Sequence, residues 1–402
     1  MINGERLWNT IITLGEIGID NQGGNSRTSL SPADLQARTY IIELMKDAGL
    51  LVRVDPIGNI IGKLEGRKTD TLMTGSHIDT VTQGGRFDGA LGVLAGIEAL
   101  RSLKENSVKL DYSIEVISFL DEEGTRFGTG FIGSNAMVGT LSPDFLNLTD
   151  QNGMTYQEAL IKAGINPENH QKASRRFENI LGFIEVHIEQ GKVLEMQNLP
   201  LGIVNGIQGG VWVEVTLTSE SDHAGATPMH IRKDPSIALA QIILETEQIA
   251  LKYGGVATIG KVHFHPNESN IIPGKIFFTI DFRHIKKNLR DNMKQAIIKA
   301  IHCVSEKKGI SVNIDISEEE EPAQCSKKIV NILKETCIDL NLSHFMMNCG
   351  AGHDAMILSK RTDIGLLLVR SKAGISHNPE EWSSKEDCII ATQVLYEALQ
   401  RF

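Results

Sequence analysis

The hydrophobic pattern of this 402-residue chain changes period twice, near residue 208 and again near residue 320. Between those points "GGVWVEVTLTS" alternates strictly, with Val211, Val213, Val215 and Leu217 on one side, as a strand with one buried face must. "DPSIALAQIILETEQIALKYG" has helical spacing. "GVATIGKVHFH" and "KIFFTIDFRH" alternate again, with a turn at "IIPGK" leading into the second. "LRDNMKQAIIKAIHCVSEKKG" is a second helix and "ISVNIDI" a last strand. Strand, helix, strand, strand, helix, strand is the ferredoxin-like order.

The flanking segments follow a different plan. "SPADLQARTYIIELMKDAGL" (31–50) reads as a helix with a Ser-Pro start and a stop at Gly49. "LVRVDPIGNIIGKLEG" is a strand, a turn and a strand. "TLMTGSHIDT" is a short strand running into a glycine turn. "GALGVLAGIEALRSLKEN" is a helix with small residues on one face, and "YSIEVISFLDEEGTRFG" a strand ending in carboxylates. After "SEEEEPAQ", read as a solvated linker, "KKIVNILKETCIDLN" is a helix and "DIGLLLVR" a buried strand. This alternation predicts an α/β domain with a mostly parallel sheet flanked by helices. The expected organisation is one domain over 1–207 and 321–402, with an α+β domain over 208–320 inserted into it.

Formal net charge is −10, which argues against nucleic acid or an anionic membrane surface as partner. No run of about 18 apolar residues marks a membrane span. "MINGERLWNTIITLGEIG" lacks the basic start and apolar core of a signal peptide. The five cysteines form no CxxC pair and read as reduced, which points to a cytoplasmic protein.

The stretch "GSHIDTVTQGGRFDG" (75–89) sets His77, Asp79 and Asp88 among glycines, either as a metal site or as a tight structural turn. Other polar residues fall at the ends of predicted strands: Glu122 and Glu123, His187 and Glu189 in "FIEVHIEQG", and His377 in "GISHNPEEW". Each alone reads as a satisfied polar residue. Together they converge on the carboxyl edge of one sheet, where α/β proteins bind ligands. Imidazole with carboxylate suits Zn²⁺, Mn²⁺, Co²⁺ or Ni²⁺. Adjacent glutamates at a strand end would repel, and a cation would relieve that.

With "GSHIDTV", "GGRFDGALGV", "EEGTRFG", "EVHIEQG", "DHAGATPM", "NIIPG", "DFRH", "GAGHDA" and "GISHNPEE" in order over residues 75–382, the chain resembles the M20 family of dinuclear metallohydrolases. More narrowly, it resembles the branch of N-carbamoyl-L-amino-acid hydrolases and allantoate amidohydrolases. The resemblance implies a metallopeptidase-like catalytic domain, and a lid and dimerisation role for the ferredoxin-like insert.

It also implies two divalent ions per chain, zinc or manganese, cobalt or nickel. His77 and His187 would hold one ion, Glu123 and His377 the other, and Asp88 would bridge them. Asp79 would stand behind His77 to orient its imidazole, and Glu122 would be the general base for the attacking water. His223 would reach the substrate's developing oxyanion across a homodimer interface, or else is an exposed loop histidine. Asn270 and Arg283, with the backbone of Gly350 to Gly352, would hold the α-carboxylate of a small anionic, amino-acid-like substrate. An ordinary strand-face arginine is the alternative for Arg283. Gln190 and Gln208 join the expected substrate contacts.

His187 occupies a position where the peptidase branch generally has a carboxylate, which leaves the centre one charge more positive and favours anionic substrates. Where the branch often has a glutamine followed by a basic residue, this chain reads "VNGIQGGVW", with Gly210 at that place and Gln208 two positions earlier. The leading expectation is hydrolysis of a carbamoyl or ureido C–N bond. Allantoate hydrolysis, an aminoacylase or peptidase activity, and a ligand-binding protein without catalysis are the alternatives. The last should lack a ligand or Glu122, and none is missing.

Overall fold

The structure is a computed structural model that describes residues 1–176 and 178–402. It divides into two compact units, Met1–Asn205 with Gln324–Phe402, and Gly206–Ala323. Among the described residues the strands in chain order are β1 (Leu51–Val54), β2 (Ile60–Leu64), β3 (Thr71–His77), β4 (Ser113–Phe119), β5 (Ile180–Ile188), β6 (Leu201–Ile207), β7 (Gly209–Thr218), β8 (Asp222–His223), β9 (Val256–His265), β10 (Ile271–Ile272), β11 (Lys275–His284), β12 (Ser311–Glu319), β13 (Ala323–Gln324), β14 (Phe345–Cys349) and β15 (Ile364–Val369). No helix among the described residues is long and apolar enough to cross a membrane.

The larger unit is built on a sheet of order β1-β2-β4-β3-β5-β15-β6-β13, with β14 also paired to β6. Its centre, β4-β3-β5-β15, is parallel, and antiparallel strands flank it. Strands β3 and β4 are buried throughout, so both faces must be covered and the residues read as continuous apolar or small runs. The helix Ala90–Glu105, nearly all buried, packs through Leu91, Val93, Leu94, Ala95 and Leu100 into the main core. The helix Pro32–Asp47 begins at Ser31, whose hydroxyl accepts the Asp34 N–H, as the Ser-Pro start predicts. Segments with no clear sequence signal, Ile132–Val138 and Tyr156–Lys162, are also helices. They build a satellite core with Leu120, Phe127 and Phe145.

The smaller unit has a four-stranded antiparallel sheet of order β12-β7-β11-β9. Val211, Val213, Val215 and Leu217 meet Ile276, Phe278, Ile280 and Phe282 in a core closed by the helices Pro235–Tyr253 and Lys287–Lys308. The period-two alternation predicted this one-sided burial. The "SEEEEPAQ" segment is not a linker throughout. Ser317 to Glu319 continue β12 on the edge of the sheet, and Ala323–Gln324 is itself a short strand. The physical reason is electrostatic. The Arg290 side chain has no solvent exposure and needs acidic partners, and Glu319 Oε1 lies 2.6 Å from its Nη2. Glu319 Oε2 also takes Lys294, at 2.7 Å.

Candidate metal centre

Strand register and the loops that follow it bring the larger unit's polar residues together. His77, the last residue of β3, is level with Phe119 of β4, and His187 of β5 is level with Leu368 of β15. The loops after β4 and β15 then carry Glu122, Glu123 and His377 to the same edge, and the loop after β3 carries Asp88.

Asp88 is the hub. Its Oδ1 lies 3.1 Å from His187 Nε2 and 3.6 Å from His77 Nε2, and its Oδ2 lies 3.2 Å from His377 Nε2. Glu122 Oε2 is 3.6 Å from His77 Nε2, and Glu123 Oε1 is 3.5 Å from His377 Nε2. Two groups of three side chains therefore meet metal-ligand spacing and share Asp88: His77, Asp88 and His187, and Asp88, Glu123 and His377. A third combines His77, Glu122 and Glu123.

The two buried histidines are both anchored through Nδ1. His77 Nδ1 lies 3.0 Å from the carbonyl oxygen of Asp79, and His187 Nδ1 lies 2.9 Å from that of Ile188. A carbonyl only accepts, so each Nδ1 carries a proton, and each Nε2 faces Asp88. The Asp79 carboxylate is farther from the His77 ring, at 3.7 Å. Instead it accepts the backbone N–H groups of Glu122 and Glu123, both at 3.2 Å, so it also fixes the turn that presents these two acids.

Two glycines make room. Gly89 has φ of 62°, a region costly for any residue with a side chain, and a Cβ there would lie 2.4 Å from His77 Nε2. A Cβ on Gly85 would lie 2.1 Å from Glu381 Oε1. The glycine-rich stretch is thus a tight turn that brings Asp88 beside His77.

Electrostatics agree with a cation site. Burial alone would lower His77, yet the carboxylates of Glu122, Asp88 and Asp79 hold it well above the ordinary histidine range. Burial works to raise Asp88, but bonds from His187, His377 and His77 hold it well below the usual carboxylate range. Burial pushes Glu122 well above that range and Glu123 up to about 7, and neighbouring carboxylates add to both. Facing Asp88, His377 is raised to about 9. Glu123 Oε1 is buried and makes no hydrogen bond. A cation would relieve the repulsion among these clustered carboxylates, and carboxylate with imidazole is a donor set that suits divalent metal ions.

Sequence reasoning passed over several residues. Glu381 Oε1 accepts the N–H groups of Phe87 and Asp88 at 2.9 and 3.1 Å. Burial, then Asp88, raises its pKa to about 7. Ser376 Oγ lies 2.9 Å from Asp88 Oδ2. Glu185 takes Ser76 Oγ at 2.7 Å and the Ala355 N–H at 2.9 Å, which ties β3 to the segment after Gly350 and Gly352. His353, the next residue, packs its ring tilted against that of His187, with centroids 4.3 Å apart. Most of these residues sit inside the motifs "GISHNPEE" and "GAGHDA", so the signal was present but not assigned. Gln190, expected at the substrate, donates from Nε2 to Asp88 Oδ2 at 2.8 Å.

The remaining expected residues belong to the smaller unit. There β8 pairs with β10, which sets His223 opposite Ile271, and the Ala224 N–H donates to Asn270 O at 2.9 Å. His223 Nδ1 accepts the N–H groups of Gly225 and Ala226 at 3.0 and 3.2 Å, so the proton sits on Nε2 of this exposed ring. Arg232 braces the loop by donating to the carbonyls of Ala224 and Thr227. Arg283 donates through Nε and Nη2 to Asp281, at 3.0 and 2.7 Å, and lies over Trp212. Gly210 is directly opposite Arg283 on β7, and Gln208 lies just before that strand.

A sequence profile described as Peptidase family M20/M25/M40 matches residues 73–401. An N-carbamoyl-L-amino acid amidohydrolase of Geobacillus stearothermophilus is 41% identical over 399 residues, covering 98% of each chain. An allantoate amidohydrolase of Escherichia coli is 36% identical, covering 94% of this chain and 93% of its own. Among solved structures, an amidase of the hydantoinase/carbamoylase family from Burkholderia multivorans superposes with a TM-score of 0.95. It is 32% identical, with 99% of this chain and 97% of the other covered.

Proposed function

Since the chain belongs to peptidase family M20/M25/M40, we propose that it hydrolyses the carbamoyl C–N bond of an N-carbamoyl-L-amino acid, releasing the amino acid, ammonia and carbon dioxide. The observation that carries this reading is Asp88 shared between two donor sets, one of which holds His187 rather than a carboxylate. The higher identity to the carbamoyl-amino-acid enzyme, 41% against 36% for the allantoate enzyme, favours that substrate over allantoate.

His77 and His187 with Asp88, and Glu123 and His377 with Asp88, would hold two divalent ions. Bound there, such ions supply Lewis-acid charge that polarises a carbonyl and acidifies water. The residues of the chain do the rest. Glu122 is buried beside His77 and held by Asp79 through its backbone N–H. It takes the proton of the attacking water and returns it to the leaving nitrogen. The tautomer of His223 makes Nε2–H a neutral donor for the developing oxyanion. Asn270 and Arg283 hold the substrate carboxylate, with Asp281 fixing the Arg283 guanidinium by two hydrogen bonds. The smaller unit acts as lid and dimerisation domain, and His223 serves the neighbouring subunit.

The test is ammonia release from a panel of N-carbamoyl-L-amino acids and allantoate, after reconstitution with zinc, manganese, cobalt or nickel. Release from allantoate alone would transfer the assignment to that substrate. Release from neither would refute the reading.

A further inference from the structure

Glu381 lies four residues beyond His377, in "HNPEEW", and is only 2% exposed. One of its oxygens grips the Phe87 and Asp88 amides at 2.9 and 3.1 Å. The other is 2.8 Å from Ser376 Oγ, the residue before His377, and that hydroxyl reaches Asp88 Oδ2 at 2.9 Å. The grip depends on residue 85 having no side chain, since a Cβ would fall 2.1 Å from Oε1. A single carboxylate therefore fastens the peptide carrying Asp88 to the loop carrying His377, 293 residues apart for the Glu381–Asp88 bond.

We propose that Glu381 is a positioning residue that sets Asp88 and His377 at ligand spacing and thereby sets the affinity of this pair for divalent cations. The proposal rests on the reading of Asp88 as a shared ligand. Reach and bonding carry the effect, not charge. A glutamine can still accept both amides through its carbonyl oxygen, and its NH₂ can donate to Ser376 Oγ. Alanine leaves two buried amides without an acceptor and releases the loop.

The full-length protein, stripped of metal, is titrated with Co²⁺ alone, and affinity, stoichiometry and the visible absorption of the bound ion are recorded. Loss of an outer partner of a metal ligand typically costs about 10- to 100-fold in affinity. Glu381→Ala should lose that much and shift the Co²⁺ spectrum, while Glu381→Gln should stay within about threefold of wild type with an unshifted spectrum. Unchanged Co²⁺ binding by Glu381→Ala overturns the proposal. So does equal weakening by Gln and Ala, which would assign the effect to charge. If Glu381→Ala does not fold, Glu381→Asp, one methylene too short, takes its place under the same criteria. Asp88→Ala separates the two levels. If that variant binds two Co²⁺ ions like wild type, the ligand reading fails. If it loses both while Glu381→Ala binds normally, only the role of Glu381 fails.

Discussion

Replacing Gly89 by alanine tests how tightly the turn after Asp88 is built. Two costs are expected. The backbone at φ 62° is left-handed, and a Cβ there costs about 1–2 kcal/mol. The new methyl would also lie 2.4–2.5 Å from His77 Nε2, Cδ2 and Cε1. Ordinary carbon contacts are about 3.5–4.0 Å, so the ring must retreat by roughly 1 Å. It is 1% exposed and tethered through Nδ1 to the Asp79 carbonyl, so retreat means breaking that bond or straining the core. Overpacking of this kind costs about 1–3 kcal/mol. The sum is about 2–5 kcal/mol. Gly153→Ala is the control. Gly153 has φ +78° and nothing within 4 Å of its would-be Cβ, so it reports the cost of a positive φ without crowding. Urea unfolding of both variants, compared at matched m-values, gives the crowding contribution by difference. A displacement of about 1 Å at a reacting centre can cost about 10²-fold in turnover, so kcat should fall for Gly89→Ala and not for Gly153→Ala. Equal stability of the two variants, with full metal content and turnover in Gly89→Ala, would refute the crowding argument.

Three further outcomes are expected. Glu122→Gln should retain metal but lose about 10²- to 10⁴-fold in kcat, because an amide of the same shape takes no proton at neutral pH; steady-state kinetics showing near-normal turnover would place the base elsewhere. Mixing inactive His223→Ala with inactive Glu122→Gln under subunit exchange should restore up to about a quarter of wild-type activity, since half the dimers are mixed and each has one whole site. No recovery despite demonstrated exchange would put His223 to work within its own chain. Chelation should lower the melting temperature by removing about 2.7 kcal/mol for an ion held at 100 times its Kd; a calorimetric scan unmoved by chelator would show that the carboxylate cluster needs no cation.

Legibility in the sequence followed the physics of each segment. Strands β7 and β11 have one buried face, so their alternation was plain, and Val211 to Leu217 fell on the core side as read. Strand β12 lies at the sheet edge with outward acids, so its end looked like a solvated linker; its partner Arg290 lies on another element. The helices Ile132–Val138 and Tyr156–Lys162 are only 7 residues each, too short to show a period. At the centre, His77, Asp88, Glu123, His187 and His377 were legible because all end up at one strand edge. Glu381 was not, because an acid in "NPEEW" looks solvated until Gly85 is seen to leave the space it fills.

Asp88 turns one oxygen to His77 and His187 and the other to His377, while Gln190 also donates to the second oxygen. A single carboxylate facing two ways would link the two donor sets thermodynamically once cations occupy them. The linkage is reciprocal, so each ion would change the affinity for the other by the same factor. Two divalent charges sharing one carboxylate repel each other, so a second ion should bind more weakly than the first and loading should proceed in two steps.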